Sequence, residues 1–157
     1  MPDTQQSYMV FHDVPHVRQP ESYACWFACL TMLARYWRER GGKGSIIDPG
    51  DHEAALILLR RNQGINWSLT LSLIRELNLK WKEVTDSPQV LYSLLQEGPV
   101  IFAGIGAGGA GGHWVVFRGM CSNMLWISDP RMDSPTSADY LTFMNQAPPW
   151  SRLWICA

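Results

Sequence analysis

Charge is sparse in this chain. Charged residues make up 17% of its 157 positions, and 13 Lys and Arg against 14 Asp and Glu leave a formal net charge of −1. A protein that grips nucleic acid through phosphates needs a basic surplus on one face, so no nucleic-acid partner is expected. Apolar runs long enough to span a bilayer are missing too, which argues against a membrane partner. The stretch from Met1 to Phe11 is polar and lacks the basic start and apolar centre of a signal peptide. Synthesis and folding in a reducing cytoplasm are the expectation. The four cysteines, at 25, 29, 121 and 156, form no C-x-x-C pair. Neither a metal knuckle nor a disulfide framework is therefore expected. Phosphate-loop, H-E-x-x-H and EF-hand patterns are lacking, and so are internal repeats. No metal and no cofactor are expected.

What is present is a core. Hydrophobic residues reach 46%, with eight tryptophans, enough for one compact domain over residues 1–157 whose first 13 residues form a loose or edge segment. Val14 to Gln19 reads as an extended piece broken by Pro20. From Cys25 to about Arg40, Phe27, Leu30, Leu33, Ala34 and Trp37 recur at helical spacing, and Gly41-Gly42 ends the run. A second helix is expected from an Asp51 cap to Asn62, a third from Ser68 to Leu77, and a fourth from Ser87-Pro88 to Glu97. Beyond Pro99 the period becomes strand-like, over Val100–Ile105, His113–Arg118, Met124–Ser128 and Arg152–Cys156. Helices first and strands second define an α+β fold with an antiparallel sheet.

Chemistry concentrates in four positions. A thiol attacks an acyl carbon as the thiolate, which calls for a lowered pKa and a nearby imidazole. Cys25 stands where a loop enters a helix, and a helix N-terminus favours negative charge. His113 opens a strand after a run of glycines, and Asp129 ends the next strand before Pro130. Adjacent antiparallel strands bring such a pair together, so Cys25, His113 and Asp129 are expected as nucleophile, base and orienting residue. Gln19, six residues before Cys25, offers an amide N–H that with the Cys25 backbone N–H makes a two-donor oxyanion hole. Trp26, Gly112 and Trp114 are the candidate substrate-binding residues. Lobe packing is an equally good reading of the two tryptophans.

Taken alone, a cysteine is more often a small buried hydrophobe, which is the reading for Cys29, Cys121 and Cys156. His12, His16 and His52 serve as control histidines without a catalytic pattern around them. Asn123 is the fallback orienting residue, although its neighbours suggest a hairpin turn. Gly104, Gly106 and Gly109 spell G-x-G-x-x-G, but a strand rather than a helix follows, which excludes a dinucleotide cradle. The glycines at 104–112 fit a hairpin tip over the cleft.

The string Val14-Pro15-His16-Val17-Arg18-Gln19, then Cys25-Trp26, then Gly112-His113-Trp114-Val115-Val116 and Ile127-Ser128-Asp129-Pro130 resembles the blocks of papain-like (clan CA) cysteine peptidases. The likeness spans roughly residues 14–130 and is closest to compact bacterial members. Those are effector proteases of plant pathogens, toxin domains and bacteriocin-processing peptidase domains. The resemblance implies peptide-bond hydrolysis through an acyl-enzyme, with a cleft between a helical lobe and a strand lobe. It implies a protein substrate, a monomer, delivery into a target cell, and an immunity or inhibitor protein covering the cleft in place of a propeptide. The same site also serves transamidation or deamidation of protein glutamine, the second reading. A non-catalytic binding module and a cell-wall amidase are the remaining alternatives.

Overall fold

A computed structural model describes residues 9–42, 45–85, 87–105, 112–146 and 151–157. In chain order the elements are β1 (Met9–Phe11), α1 (Cys25–Glu39), a 3-10 turn (Pro49–Asp51), α2 (Glu53–Arg61), α3 (Trp67–Glu76) and β2 (Lys80–Glu83). Then follow α4 (Pro88–Glu97), β3 (Val100–Ile105), β4 (His113–Cys121), β5 (Met124–Ser128), β6 (Thr136–Asp139), α5 (Tyr140–Gln146) and β7 (Ser151–Cys156). The class is α+β, as expected. The strands form one seven-stranded antiparallel sheet in the order β2-β7-β3-β4-β5-β6, with β1 added to the far half of β4.

Strand alternation sorts the core into two layers. Ile101, Ala103, Trp114, Val116, Leu153 and Ile155 face α1, α2 and α3, where they meet Leu30, Leu33, Leu73 and Ile74. Val100, Phe102, Val115, Phe117 and Trp154 point the other way, onto Leu91 and Leu95 of α4 and Tyr140 and Met144 of α5. The central strand β3 is consequently buried along its whole length.

α1 is the spine of the first layer. Leu30, Met32 and Leu33 are at most 1% exposed, and each contributes about 1.5–3 kcal/mol by leaving water. The helix stops where expected: Gly41 and Gly42 take left-handed φ of 83° and 81°, and the Gly42 N–H bonds back to the Trp37 carbonyl at 2.7 Å. α4 begins with Pro88 in its first turn, where a missing N–H costs nothing. α2 differs in its start. The 3-10 turn occupies Pro49–Asp51, and His52 rather than Asp51 caps the helix, its Nδ1 accepting from the Ala55 N–H at 3.3 Å. The extended piece 14–19 joins no strand ladder; the loop after β5 holds it instead, as described below.

Candidate active site

Three segments meet around a pocket of about 260 Å³ lined by Gln19, Cys25, Trp26, Gly112, His113 and Trp114 among others. The first is the start of α1. Ala24 caps this helix without any side-chain hydrogen bond, so no cap side chain takes the first-turn N–H groups. The Trp26 N–H points at the Cys25 sulfur, as does the backbone N–H of Trp114, the residue next to His113. An alanine cap, poor for helix stability, leaves the Trp26 donor to the site.

The second segment is the start of β4. His113 lies opposite Gly104 of β3, and a Cβ at Gly104 would stand 3.0 Å from the His113 carbonyl oxygen. Glycine therefore permits this close approach of the two strands. Asp129 follows β5 directly. The register of β4 against β5 slips by one residue between Phe117 and Gly119, a bulge that fixes where β5 ends relative to His113. His113 Nε2 and Asp129 Oδ1 are 2.8 Å apart.

The loop after Asp129 forms the third segment, and it carries Gln19. The Gln19 N–H donates to the Pro130 carbonyl at 2.8 Å, His16 Nε2 pairs with the Met132 carbonyl at 2.7 Å, and Arg18 forms an ion pair with Asp133. The loop itself is a turn closed by the Met132 N–H on the Asp129 carbonyl at 2.9 Å. One turn thus orients both Asp129 and the segment bearing Gln19.

Electrostatics divide the site. Burial pushes the Asp129 carboxyl upward, but hydrogen bonds from His113 and from the Arg131 N–H, the His113 charge and the Arg131 side chain outweigh it and bring it down to about 2. Cys25 moves the other way. At 9% exposure, burial raises its pKa above 9.0, helped by the nearby Asp129 charge, and the N–H groups of Trp114 and Trp26 and the Arg131 charge only partly offset this. The lowered thiol expected from the helix tip is thus not found at rest, because desolvation in a nearly closed pocket exceeds what two N–H dipoles return.

The structure gathers Cys25, His113, Asp129 and Gln19 at one place. Gln19 holds an unexpected pose, with its Nε2 donating to the Glu21 and Ser22 carbonyls at 3.0 and 2.9 Å. Both amide hydrogens are spent on its own loop. Trp26 and Trp114 are 2% and 3% exposed, so they are walls of the pocket and members of the core at once. Gly112 lines the pocket, whereas Gly106 and Gly109 of the expected hairpin tip lie outside the described residues. The strand that follows, not a helix, leaves no dinucleotide cradle. His12 pairs with the Leu95 carbonyl and Tyr36, and His52 with Glu76, all away from the pocket. Asn123 sits in the β4–β5 turn, at the opposite end of β4 from His113.

Arg131 escaped the reading of the sequence. It lines the pocket, its N–H bonds Asp129 Oδ1 at 3.0 Å, and its Nη2 lies 3.4 Å from Oδ2. The one available signal was its place two residues beyond an Asp-Pro turn.

A thiol on a helix tip and a sheet histidine facing one pocket, the histidine backed by an aspartate, define a cysteine peptidase of the papain-like class. The chain belongs to the family described as the papain-like cysteine protease AvrRpt2, whose family model matches residues 9–147. Among solved structures, a Bacillus anthracis protein described as a C39-like peptidase superposes with a TM-score of 0.60, at 16% identity, over 95% of this chain and 98% of that one. At that identity the likeness shows the shared fold. A search of curated protein sequences finds no significant match.

Proposed function

We propose that the chain is an endopeptidase that cleaves a protein substrate through a thioester acyl-enzyme. The observation that carries this reading is the 2.8 Å His113 Nε2–Asp129 Oδ1 bond, with His113 and Cys25 lining the same pocket. An ionised Asp129 fixes the proton on Nε2, so Nδ1 remains as the acceptor. Burial holds the Cys25 thiol above its ordinary value, and His113 Nδ1 takes its proton as Sγ bonds to the scissile carbonyl carbon. The Cys25 backbone N–H and the Gln19 amide, once swung from the Glu21 and Ser22 carbonyls, stabilise the resulting oxyanion. Collapse breaks the C–N bond, and the proton on Nδ1 passes to the leaving amine. Water, deprotonated by the same nitrogen, then attacks the thioester, releasing a carboxylic acid and the free thiol.

Delivery into a target cell as a bacterial effector or toxin domain, held in check by an immunity protein over the cleft, completes the proposal. Its support is the resemblance to compact bacterial members of the class. A small protein encoded next to this chain that binds it and blocks Cys25 labelling is the expected sign, and its absence weighs against that part.

Cleavage is tested by incubating candidate proteins with the wild type, Cys25→Ala and His113→Ala and sequencing new termini. Cut chains with the wild type and intact chains with both variants are expected. Intact chains bearing deamidated or amine-linked glutamine would replace this reading by acyl transfer. No product of either kind, with Cys25 inert to iodoacetamide, would overturn both.

A further inference from the structure

Of the described residues that line the pocket, Arg131 is the one with a permanent charge. Its obvious duty, holding Asp129, is already met by its backbone. The Arg131 N–H reaches Oδ1 at 3.0 Å whatever side chain the residue carries, and His113 takes the same oxygen at 2.8 Å. The guanidinium adds a single long contact of 3.4 Å to Oδ2. It does so from a side chain that is 60% exposed, against 17% for Asp129. A guanidinium has five N–H donors in a planar fork suited to a carboxylate. Among the described residues, one weak contact leaves most of that fork unused.

Asp129 faces His113, and Arg18, the cation on the segment that this loop holds, is taken by Asp133. With His113 neutral before attack, the charges of Asp129 and Arg131 balance, and a substrate carboxylate is met by the remaining donors of the exposed guanidinium rather than by a net charge. The field of Arg131 reaches the reacting atom, since it acts to lower the pKa of Cys25.

Resting on the peptidase reading of the site, we propose that Arg131 is a specificity-determining residue that recognises an aspartate or glutamate side chain close to the scissile bond of the substrate. The fork accepts the carboxylate in a bidentate pair and at the same time keeps its long contact to Asp129. Acidic segments of protein substrates are selected, and basic ones are repelled by the same charge.

Two measurements test this and separate it from the peptidase reading. In the first, Cys25 is alkylated by iodoacetate and by its neutral counterpart iodoacetamide, in the wild type, Arg131→Gln and Arg131→Lys, each checked for an unchanged unfolding midpoint. Any effect of a variant on thiol ionisation is common to the two reagents and cancels in the ratio of rates, and any attraction by His113 is common to the compared proteins. The iodoacetate-to-iodoacetamide ratio should fall about two- to fivefold in Arg131→Gln, the size of a partly exposed ion pair, and should fall less in Arg131→Lys, which keeps the charge without the fork. An unchanged ratio in Arg131→Gln overturns the proposal.

In the second, quenched peptides that differ by Asp against Asn at each position flanking the cleaved bond are compared by kcat/KM. The wild type should prefer Asp at one or more of these positions, and Arg131→Gln should erase that preference. Cleavage with an Asp/Asn ratio identical in the two proteins sinks the inference and leaves the peptidase standing. Loss of the alkylation ratio in Arg131→Gln with neither peptides nor candidate proteins cut keeps the anion-recognising arginine and counts against the peptidase.

Discussion

Replacing Asp129 by asparagine keeps the shape of the side chain and removes the charge that His113 and Arg131 share. A carboxyl drawn from 3.8 to about 2 carries about 2 kcal/mol of differential interaction, at about 1.4 kcal/mol per pH unit. Its folded pKa lies below its unfolded one. The stabilisation is therefore complete above the unfolded value and disappears as pH falls from 3.8 towards 2. Near pH 3 about 1 kcal/mol should remain, half of the full contribution. The assay is urea unfolding of wild type and Asp129→Asn, both carrying Cys25→Ala to prevent self-cleavage, at a series of pH values from 7 to 3. The gap between the two proteins should be level from neutral pH down to about 5 and then narrow by about 1 kcal/mol at pH 3. A gap that stays constant through this range would mean that the carboxylate is not held by the pair, and the account of His113 orientation would fall with it.

Other expectations follow from single contacts. Gln19→Ala should lower kcat by about 100- to 1000-fold, the usual cost of one oxyanion donor, with little change in KM; an unchanged kcat would mean that the amide never leaves the Glu21 and Ser22 carbonyls. Because burial raises the Cys25 thiol above 9.0, iodoacetamide labelling of the substrate-free protein should keep climbing beyond pH 8. A flat labelling rate from mildly acidic to mildly alkaline pH would show a preformed thiolate instead. A methyl group at Gly119 would stand 2.2 Å from the Val10 carbonyl oxygen and 2.9 Å from the Phe11 Cα, so Gly119→Ala should cost about 1–3 kcal/mol. It should also raise amide exchange in β1 before the rest of the sheet, and native protection of Val10 in that variant would refute the clash.

Much of the architecture was legible because period and punctuation agreed. Pro88 to Glu97 and Val100 to Ile105 fall on their expected limits, since a proline at a helix start, a glycine-proline break and a wholly apolar run leave few alternatives. β2 was invisible for the opposite reason. Lys80, Trp81, Lys82 and Glu83 are all exposed, so no alternation marks a strand that exists because β7 offers it backbone partners. β1, three residues long, and β6, almost wholly exposed, gave equally little pattern. α5 follows β6 without an intervening loop.

At the pocket, residue types and chain order were enough to name Cys25, His113, Asp129 and Gln19 as neighbours. Two things needed coordinates. The Gln19 amide turns towards whichever acceptors its own loop presents, and spacing to Cys25 says nothing about that choice. Desolvation of the thiol depends on how closely Trp26 and Trp114 shut the pocket, which is a property of packing and not of position along the chain.

The placement of β7 has a consequence for the order of events during synthesis. Leu153, Trp154 and Ile155 are fully buried between β2 and β3, so a ribosome-bound chain that has not yet released these residues has a sheet missing an interior plank. The layer that backs the reactive cysteine cannot close around it until that plank slots in. A nascent copy should therefore be inert, gaining its cutting edge only when the final strand is free of the exit tunnel.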